Sequence, residues 1–341
     1  MLIADRKFLE AESLRRMPPD TESERTEDAS LCPLLSDDIG NYPEGIIVPV
    51  NKPYRWTSAD VIRKLKFTAA RHFRKKNLKV GHAGTLDPLA TGVLLVCIGN
   101  ATKKAEELQS HDKEYIAGIT FGATTPSYDL EKEIDRMYPY GHVTEEAVRK
   151  ALPDFLGEQE QIAPLFSAKS VDGVRAYEMA RKLYRERHSS PGNAGISPAA
   201  GTAAAMDTAA ENLIRAARIN ISDISLLEFH PEGKTPAAEA ADAGERQDGP
   251  GRSTSRGDAG EDRRNLRINV TDNSSLHLPE ALVRITCSKG TYIRAFARDL
   301  GEALGTGAHL SSLIRSRSGE FRVEDALDID EAMSLFTGMN P

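Results

Sequence analysis

The chain has 341 residues, with 44 Lys/Arg against 51 Asp/Glu and a formal net charge of −7. That length holds one large domain or two ordinary ones, and no apolar run approaches the roughly 18 residues of a membrane span. Acids throughout the opening stretch disfavour a transit peptide. Three scattered cysteines, Cys32, Cys97 and Cys287, fit reduced thiols of a cytoplasmic protein and no disulfide frame or zinc site.

In chain order, residues 1–42 are polar and acidic without sustained periodicity, which predicts a mostly disordered extension with a short helix near 8–17. Residues 1–45 carry five Lys/Arg against eleven Asp/Glu. GIIVPV at 45–50 predicts a buried strand. At 58–67, Val61, Ile62 and Leu65 share one face of a helix begun by Ser58 or Asp60. Residues 52–79 reverse the charge, with ten Lys/Arg and the single acid Asp60. Local charge, not the global sum, draws phosphates, so the acidic total does not exclude a nucleic-acid partner.

VLLVCI at 93–98 reads as a second buried strand, and Tyr115, Ala117, Ile119 and Phe121 alternate as a strand with one face on a core. Helices are predicted at 145–152 and 175–187, and strands at 218–229, 267–270 and 281–287. A helix at 292–304 places Ile293, Phe296, Ala297, Leu300 and Leu304 at helical spacing, with Thr291 as N-cap. Segments 189–212, built from Ala, Gly, Ser and Pro, and 231–265, which lacks any large apolar residue, bury too little surface to offset ordering. Both are predicted to be disordered insertions. Strands and helices mix without a regular βαβ rhythm, so the fold class is α+β with a mixed, mostly antiparallel sheet.

The densest chemistry lies in Gly81-His82-Ala83-Gly84-Thr85-Leu86-Asp87-Pro88-Leu89-Ala90-Thr91-Gly92. Glycines permit tight turns or close backbone approach, Pro88 stiffens the chain after Asp87, and Leu86 and Leu89 flank the acid. From spacing alone, an aspartate that merely caps a turn is the commoner reading. A phosphate-cradling loop is disfavoured because no lysine follows the glycines.

GHAGTLDPLATGVLLVCIGNATK resembles the catalytic motif of the TruB family, the tRNA pseudouridine-55 synthases. Further segments resemble that family in the same order: Asn51-Lys52-Pro53 with Thr57-Ser58, Lys113-Glu114-Tyr115, Pro164-Leu165-Phe166-Ser167-Ala168 followed by Gly173-Val174-Arg175-Ala176-Tyr177, Cys287-Ser288-Lys289-Gly290-Thr291-Tyr292-Ile293-Arg294, and Gly307-Ala308-His309-Leu310. The resemblance covers about 45–187, 213–230 and 266–333. It implies a single pseudouridine synthase catalytic domain over 43–335 with an RNA-binding cleft and no C-terminal RNA-binding domain.

By the same resemblance Asp87 is the nucleophile, attacking ribose C1′ or pyrimidine C6, and Arg294 ion-pairs with it to keep it charged. Tyr115 stacks on the extracted uracil and takes the C5 proton, and His82 fills the space the flipped base leaves. Lys52, Tyr292 and Leu313 line the nucleotide pocket. Arg63, Lys64, Lys66, Arg71, Arg74, Lys75, Lys76 and Lys79 contact phosphates of the T-arm of tRNA. Isomerisation involves no net redox or hydrolysis, so no cofactor and no metal is expected. The partner is tRNA, with no membrane, no required protein partner, and a monomeric state.

The chain departs from the family pattern at Arg55, where a glycine is usual, which predicts a turn of different shape. Pro126 and Tyr128 sit in a segment that usually reads T-x-T-x-D, with Asp129 retained, and Ser170 replaces a common lysine. Two rival readings stand beside the enzyme: an RNA chaperone that refolds tRNA without modifying it, and a synthase of the same family aimed at another RNA.

Overall fold

The computed structural model describes residues 1–15, 35–167, 169–171, 174–188, 202–233 and 268–337. They divide into two compact units, one of Met1–Ile116, Thr286–Lys289 and Leu313–Pro341, the other of Ala117–Ile285 and Gly290–Ser312. The fold class is α+β, with mixed sheet pairing flanked by helices.

In the first unit, Ile46–Lys52 runs antiparallel to Ala90–Ile98, which also takes Val80–His82 antiparallel along its length. Two parallel pairings make the sheet mixed. Leu2–Ile3 lies beside Ile46–Ile47, and Leu313–Arg315 lies beside Ala90–Gly92. The central strands are buried on both faces, which explains their near-continuous apolar reading. Ile46, Val48, Val50, Leu94, Val96 and Ile98 face one core, while Ile47, Val93, Leu95 and Cys97 face another, as the period of two requires.

The Ser58–His72 helix lays Val61, Leu65 and Ala69 on the first of these cores. Burying a leucine there contributes about 1.5–3 kcal/mol. Its N-cap is Thr57, not Ser58 or Asp60. The Thr57 hydroxyl accepts from Asp60 N–H, and the Asp60 carboxylate accepts from Thr57 N–H, a reciprocal capping box. The helix runs five residues past its predicted end because Ala69, Ala70 and Phe73 continue the apolar face. The Ile329–Thr337 helix, not anticipated from the sequence, covers the same core with Ala332, Leu335 and Phe336.

The second unit pairs Ala217–His230 antiparallel with Gly157–Gln161, with Glu280–Cys287 on its other side. Its helices include Glu145–Ala151, Ala176–His188, Thr202–Leu213 and Ile293–Ala303. The last begins one residue later than predicted, with Tyr292 and not Thr291 at the N-cap.

Three expectations need correction. Residues 1–15 are not a disordered extension: Leu2–Ile3 joins the sheet, and the short helix expected near 8–17 is present at Arg6–Arg15, tied by Arg6 to both carboxylate oxygens of Glu331, at 2.7 and 2.6 Å. Residues 202–212 of the first predicted insertion are helical. Alanine has the highest helix propensity, and Ala210 with Ile214 joins a small core of Ala163, Leu165, Phe166, Ala176 and Ala180. Residues 268–270 form no strand. Arg55 adopts φ of +63°, a left-handed conformation that favours glycine, so this turn is strained by its arginine. Cys32 and nearly all of 231–265 lie outside the described residues. Among the described residues, no helix is long and apolar enough to cross a membrane.

Candidate active site

The first unit gathers Lys52, His82, Asp87, Tyr115 and Leu313. Asp87 opens a turn in which Ala90 N–H donates back to the Asp87 carbonyl over 3.1 Å, with Pro88 at the position whose φ proline presets. The turn expected of an aspartate before proline is thus present at Asp87. The Asp87 side chain is half-buried, while Leu86 beside it is 4% exposed.

Backbone groups on both sides of Asp87 are held from elsewhere in the unit. The Ser58 hydroxyl accepts from Leu86 N–H at 3.0 Å and donates to the Leu86 carbonyl at 3.1 Å. Ser58 is thereby spent on the loop, which explains why Thr57 caps the helix. Arg55 N–H donates to the Pro88 carbonyl at 3.0 Å. The ammonium of Lys52, itself fully buried, donates to the carbonyls of Pro53, Trp56 and Pro88 at 2.8, 2.6 and 3.2 Å. All three of its protons are thus directed at backbone oxygen. Burial, and then the charge of Arg315, push the Lys52 ammonium down to about 7, while Asp87 partly offsets them.

On the other side stands Arg315, 1% exposed and unremarked in the sequence. Its Nε donates to the Val93 carbonyl at 2.7 Å, and its two Nη groups reach the carbonyls of Gly84 (3.1 Å) and Thr85 (3.5 Å). One guanidinium thus clamps the loop both before and after Asp87. Arg315 gets there because Leu313–Arg315 pairs in parallel with Ala90–Gly92. That approach needs a glycine: a Cβ on Gly92 would sit 2.3 Å from the Arg315 carbonyl oxygen.

Tyr115 and Leu313 both pack against the first core, and the Arg315 guanidinium acts electrostatically on the Tyr115 phenol. Burial raises the phenol above its usual range, with the guanidinium opposing that shift. His82 sits at the end of Val80–His82, its Nδ1 buried without a hydrogen bond partner. Burial, and next the charge of Arg315, hold its pKa below the usual imidazole value, so the ring is neutral at pH 7.

The predicted phosphate-binding side chains line the Ser58–His72 helix and the turn after it. Arg63, Lys66, Arg71, Arg74, Lys75, Lys76 and Lys79 are exposed. Lys64 is half-buried, over the Trp56 ring at 5.4 Å and 3.8 Å from Asp330. Arg63 pairs with Asp60 at 2.7 Å.

Tyr292 and Arg294 belong to the second unit. Tyr292 is held through its backbone by Gln161, whose amide accepts from Tyr292 N–H (2.8 Å) and donates to the Tyr292 carbonyl (3.2 Å). Arg294, 5% exposed, donates to the carbonyls of Ser127 (3.0 Å) and Phe166 (2.9 Å), and its Nε lies 3.8 Å from Asp129. A carboxylate at Asp129, retained where Pro126 and Tyr128 depart from the family pattern, is thus an ion-pair partner of Arg294. The motif histidine His309 is fully buried, Nδ1 lying 3.0 Å from the Ala123 carbonyl. Sequence reasoning missed Arg315, Ser58 as a loop anchor, and Gln161.

Comparison with known proteins identifies the scaffold. Residues 71–190 match the model of the TruB family pseudouridylate synthase N-terminal domain. A protein of Phocaeicola vulgatus named tRNA pseudouridine synthase B is 42% identical over 291 residues, covering 85% of this chain and 92% of that one. Its namesake from Bacteroides fragilis is 42% identical over 288 residues, covering 84% and 92%. A solved Cbf5-Nop10-Gar1 complex is more distant, at 22% identity and a TM-score of 0.47, covering 91% of this chain and 61% of that one. With two-fifths identity across nearly the full length of such relatives, the chain belongs to the TruB family of pseudouridylate synthases.

Proposed function

We propose that this protein converts uridine 55 in the T-arm of tRNA to pseudouridine, with Asp87 as nucleophile. Its relatives' name, tRNA pseudouridine synthase B, supports tRNA as the substrate class. The observation that carries the catalytic assignment is the clamped loop: Ser58, Lys52 and Arg315 fix the backbone on both sides of Asp87, leaving its carboxylate as the loop's half-exposed acid. Preorganisation of this kind is what an attacking group needs.

In this reading the carboxylate adds to C1′ or C6 of the extracted nucleotide, and the adduct divides glycosidic cleavage and C–C bond formation into two easier steps. The uracil turns, its C5 bonds to the ribose, the bond to Asp87 breaks and frees the carboxylate, and the C5 proton is taken up at the Tyr115 hydroxyl as that hydroxyl passes its own proton to solvent, with N1 taking a proton from water. His82, neutral and half-buried, occupies the gap in the RNA stack, which offsets an extraction cost of a few kcal/mol. Leu313 lines the nucleotide pocket, and Lys52 holds its wall through Pro88. Arg294 keeps the Asp87 carboxylate ionised. The exposed basic side chains from Arg63 to Lys79 take the T-arm phosphates. The enzyme works in the cytoplasm as a monomer on tRNA alone.

The test is to incubate the purified chain with a T-arm stem-loop, label pseudouridine with a carbodiimide, and locate it by the stops it causes in primer extension, with nucleoside chromatography giving the total formed. Pseudouridine at position 55 alone is expected. Unmodified RNA, refolded by the protein all the same, would establish the chaperone reading instead. Modification only of another RNA would keep the chemistry and replace the substrate.

A further inference from the structure

The helix Thr202–Leu213 carries a half-buried carboxylate, Asp207, among alanines. Asp207 accepts a hydrogen bond from the Tyr128 hydroxyl, and its other oxygen lies 3.3 Å from Arg298. Arg298 also donates to Asp299 (2.8 Å) and to the Ile162 carbonyl (3.2 Å), and its guanidinium lies 5.9 Å from the Tyr128 ring centre. Tyr128 is 3% exposed and holds φ of +57°, a left-handed conformation that residues with side chains seldom adopt.

The two neighbours of Tyr128 hold Arg294. Ser127 does so with its carbonyl, and Asp129 with its carboxylate, which also accepts from the Ser127 hydroxyl at 2.6 Å. Arg294 and Arg298 stand four residues apart on the Ile293–Ala303 helix, hence on one face of it. The 127–129 turn therefore meets that helix twice. Its outer residues grip Arg294, and its middle residue is gripped by Arg298 and by Asp207 from the inserted helix.

We propose that the Thr202–Leu213 helix is a brace for turnover: through Tyr128, Asp207 fixes the 127–129 turn and with it the direction of the Arg294 guanidinium. This rests on the role given to Arg294 above. Asp207 and Tyr128 are positioning residues and touch no substrate. The residues that break the family pattern at 128 and the alanine-rich insertion are, on this view, two halves of one device.

The experiment measures single-turnover rate, affinity for a T-arm stem-loop, and melting temperature for Asp207→Ala and Tyr128→Phe, singly and together, in wild-type and Arg294→Lys backgrounds. Each single change is expected to slow the wild-type rate about tenfold or more with binding within about twofold, since small misplacements of a catalytic group are costly. The double variant is expected to be no slower than the slower single. In the Arg294→Lys background Asp207→Ala is expected to add nothing, because the group it orients is gone. A wild-type rate in folded Asp207→Ala, or a full additional loss in the Arg294→Lys background, would overturn the brace. A wild-type rate for Arg294→Lys itself would instead overturn the role assigned to Arg294. Tyr128→Phe removes a single oxygen and carries the test if Asp207→Ala does not fold.

Discussion

Arg315 donates to the carbonyl oxygen of Gly84 across 3.1 Å, although 231 positions separate them in the chain. A fully buried cation is costly unless its protons are satisfied, and here three backbone carbonyls accept from it. The result is a loop whose shape around Asp87 depends on a residue of a distant strand.

Replacing Arg315 by Met should therefore cost stability and rate together. Leaving the three carbonyls unsatisfied is expected to lower unfolding free energy by about 2–5 kcal/mol in urea titration. Single-turnover pseudouridine formation should fall by more than about tenfold. Arg315→Lys should recover part of the stability but little of the rate, because one ammonium cannot span Gly84, Thr85 and Val93.

Thr57 and Ser58 separate capping from catalysis. Thr57→Ala removes the helix cap and should cost about 1 kcal/mol of stability with little change in rate. Ser58→Ala removes both bonds to Leu86 and should slow turnover as well as destabilise by about 1–3 kcal/mol. Thermal melts and single-turnover kinetics on the two variants give the comparison.

Lys52 provides a pH signature. Its ammonium falls to about 7 in the fold, from an unfolded value near 10.5. Between these values the unfolded chain binds more protons than the folded one, so this group favours folding increasingly as pH rises from 7 to about 10. The stability difference between wild type and Lys52→Met should shift toward wild type over that window. Urea midpoints at pH 7, 8.5 and 10 measure it.

The basic side chains after Asp60 should reveal themselves by salt. Replacing Lys66, Arg71, Lys75 and Lys76 by Ala should weaken T-arm binding. The slope of log affinity against log salt should become shallower by about 0.9 for each phosphate that the variant no longer neutralises. An unchanged slope would mean these charges are merely solvated.

Much of this site is legible in sequence because it is local. The Asp87-Pro88 turn, the buried strands Ile46–Lys52 and Ala90–Ile98, and the basic helix each follow from neighbouring residues. Arg315 is not legible. Its meaning depends on a parallel pairing with Ala90–Gly92, and parallel partners lie far apart in sequence. Composition misleads at Thr202–Leu213 because it measures how little the segment can bury, while its order comes from alanine propensity and from the bonds and packing of Asp207 and Ala210. Ser58 misleads because a serine at a helix start usually caps, and here Thr57 takes that role.

In the proposed reaction the Asp87 carboxylate forms the bond to the nucleotide. Asp87→Asn preserves the shape of the loop and removes the charge. Its single-turnover rate on a T-arm stem-loop, with affinity measured on the same protein, tests the claim most directly. Loss of all detectable pseudouridine with affinity within about tenfold of wild type is the predicted result; formation near the wild-type rate would contradict it.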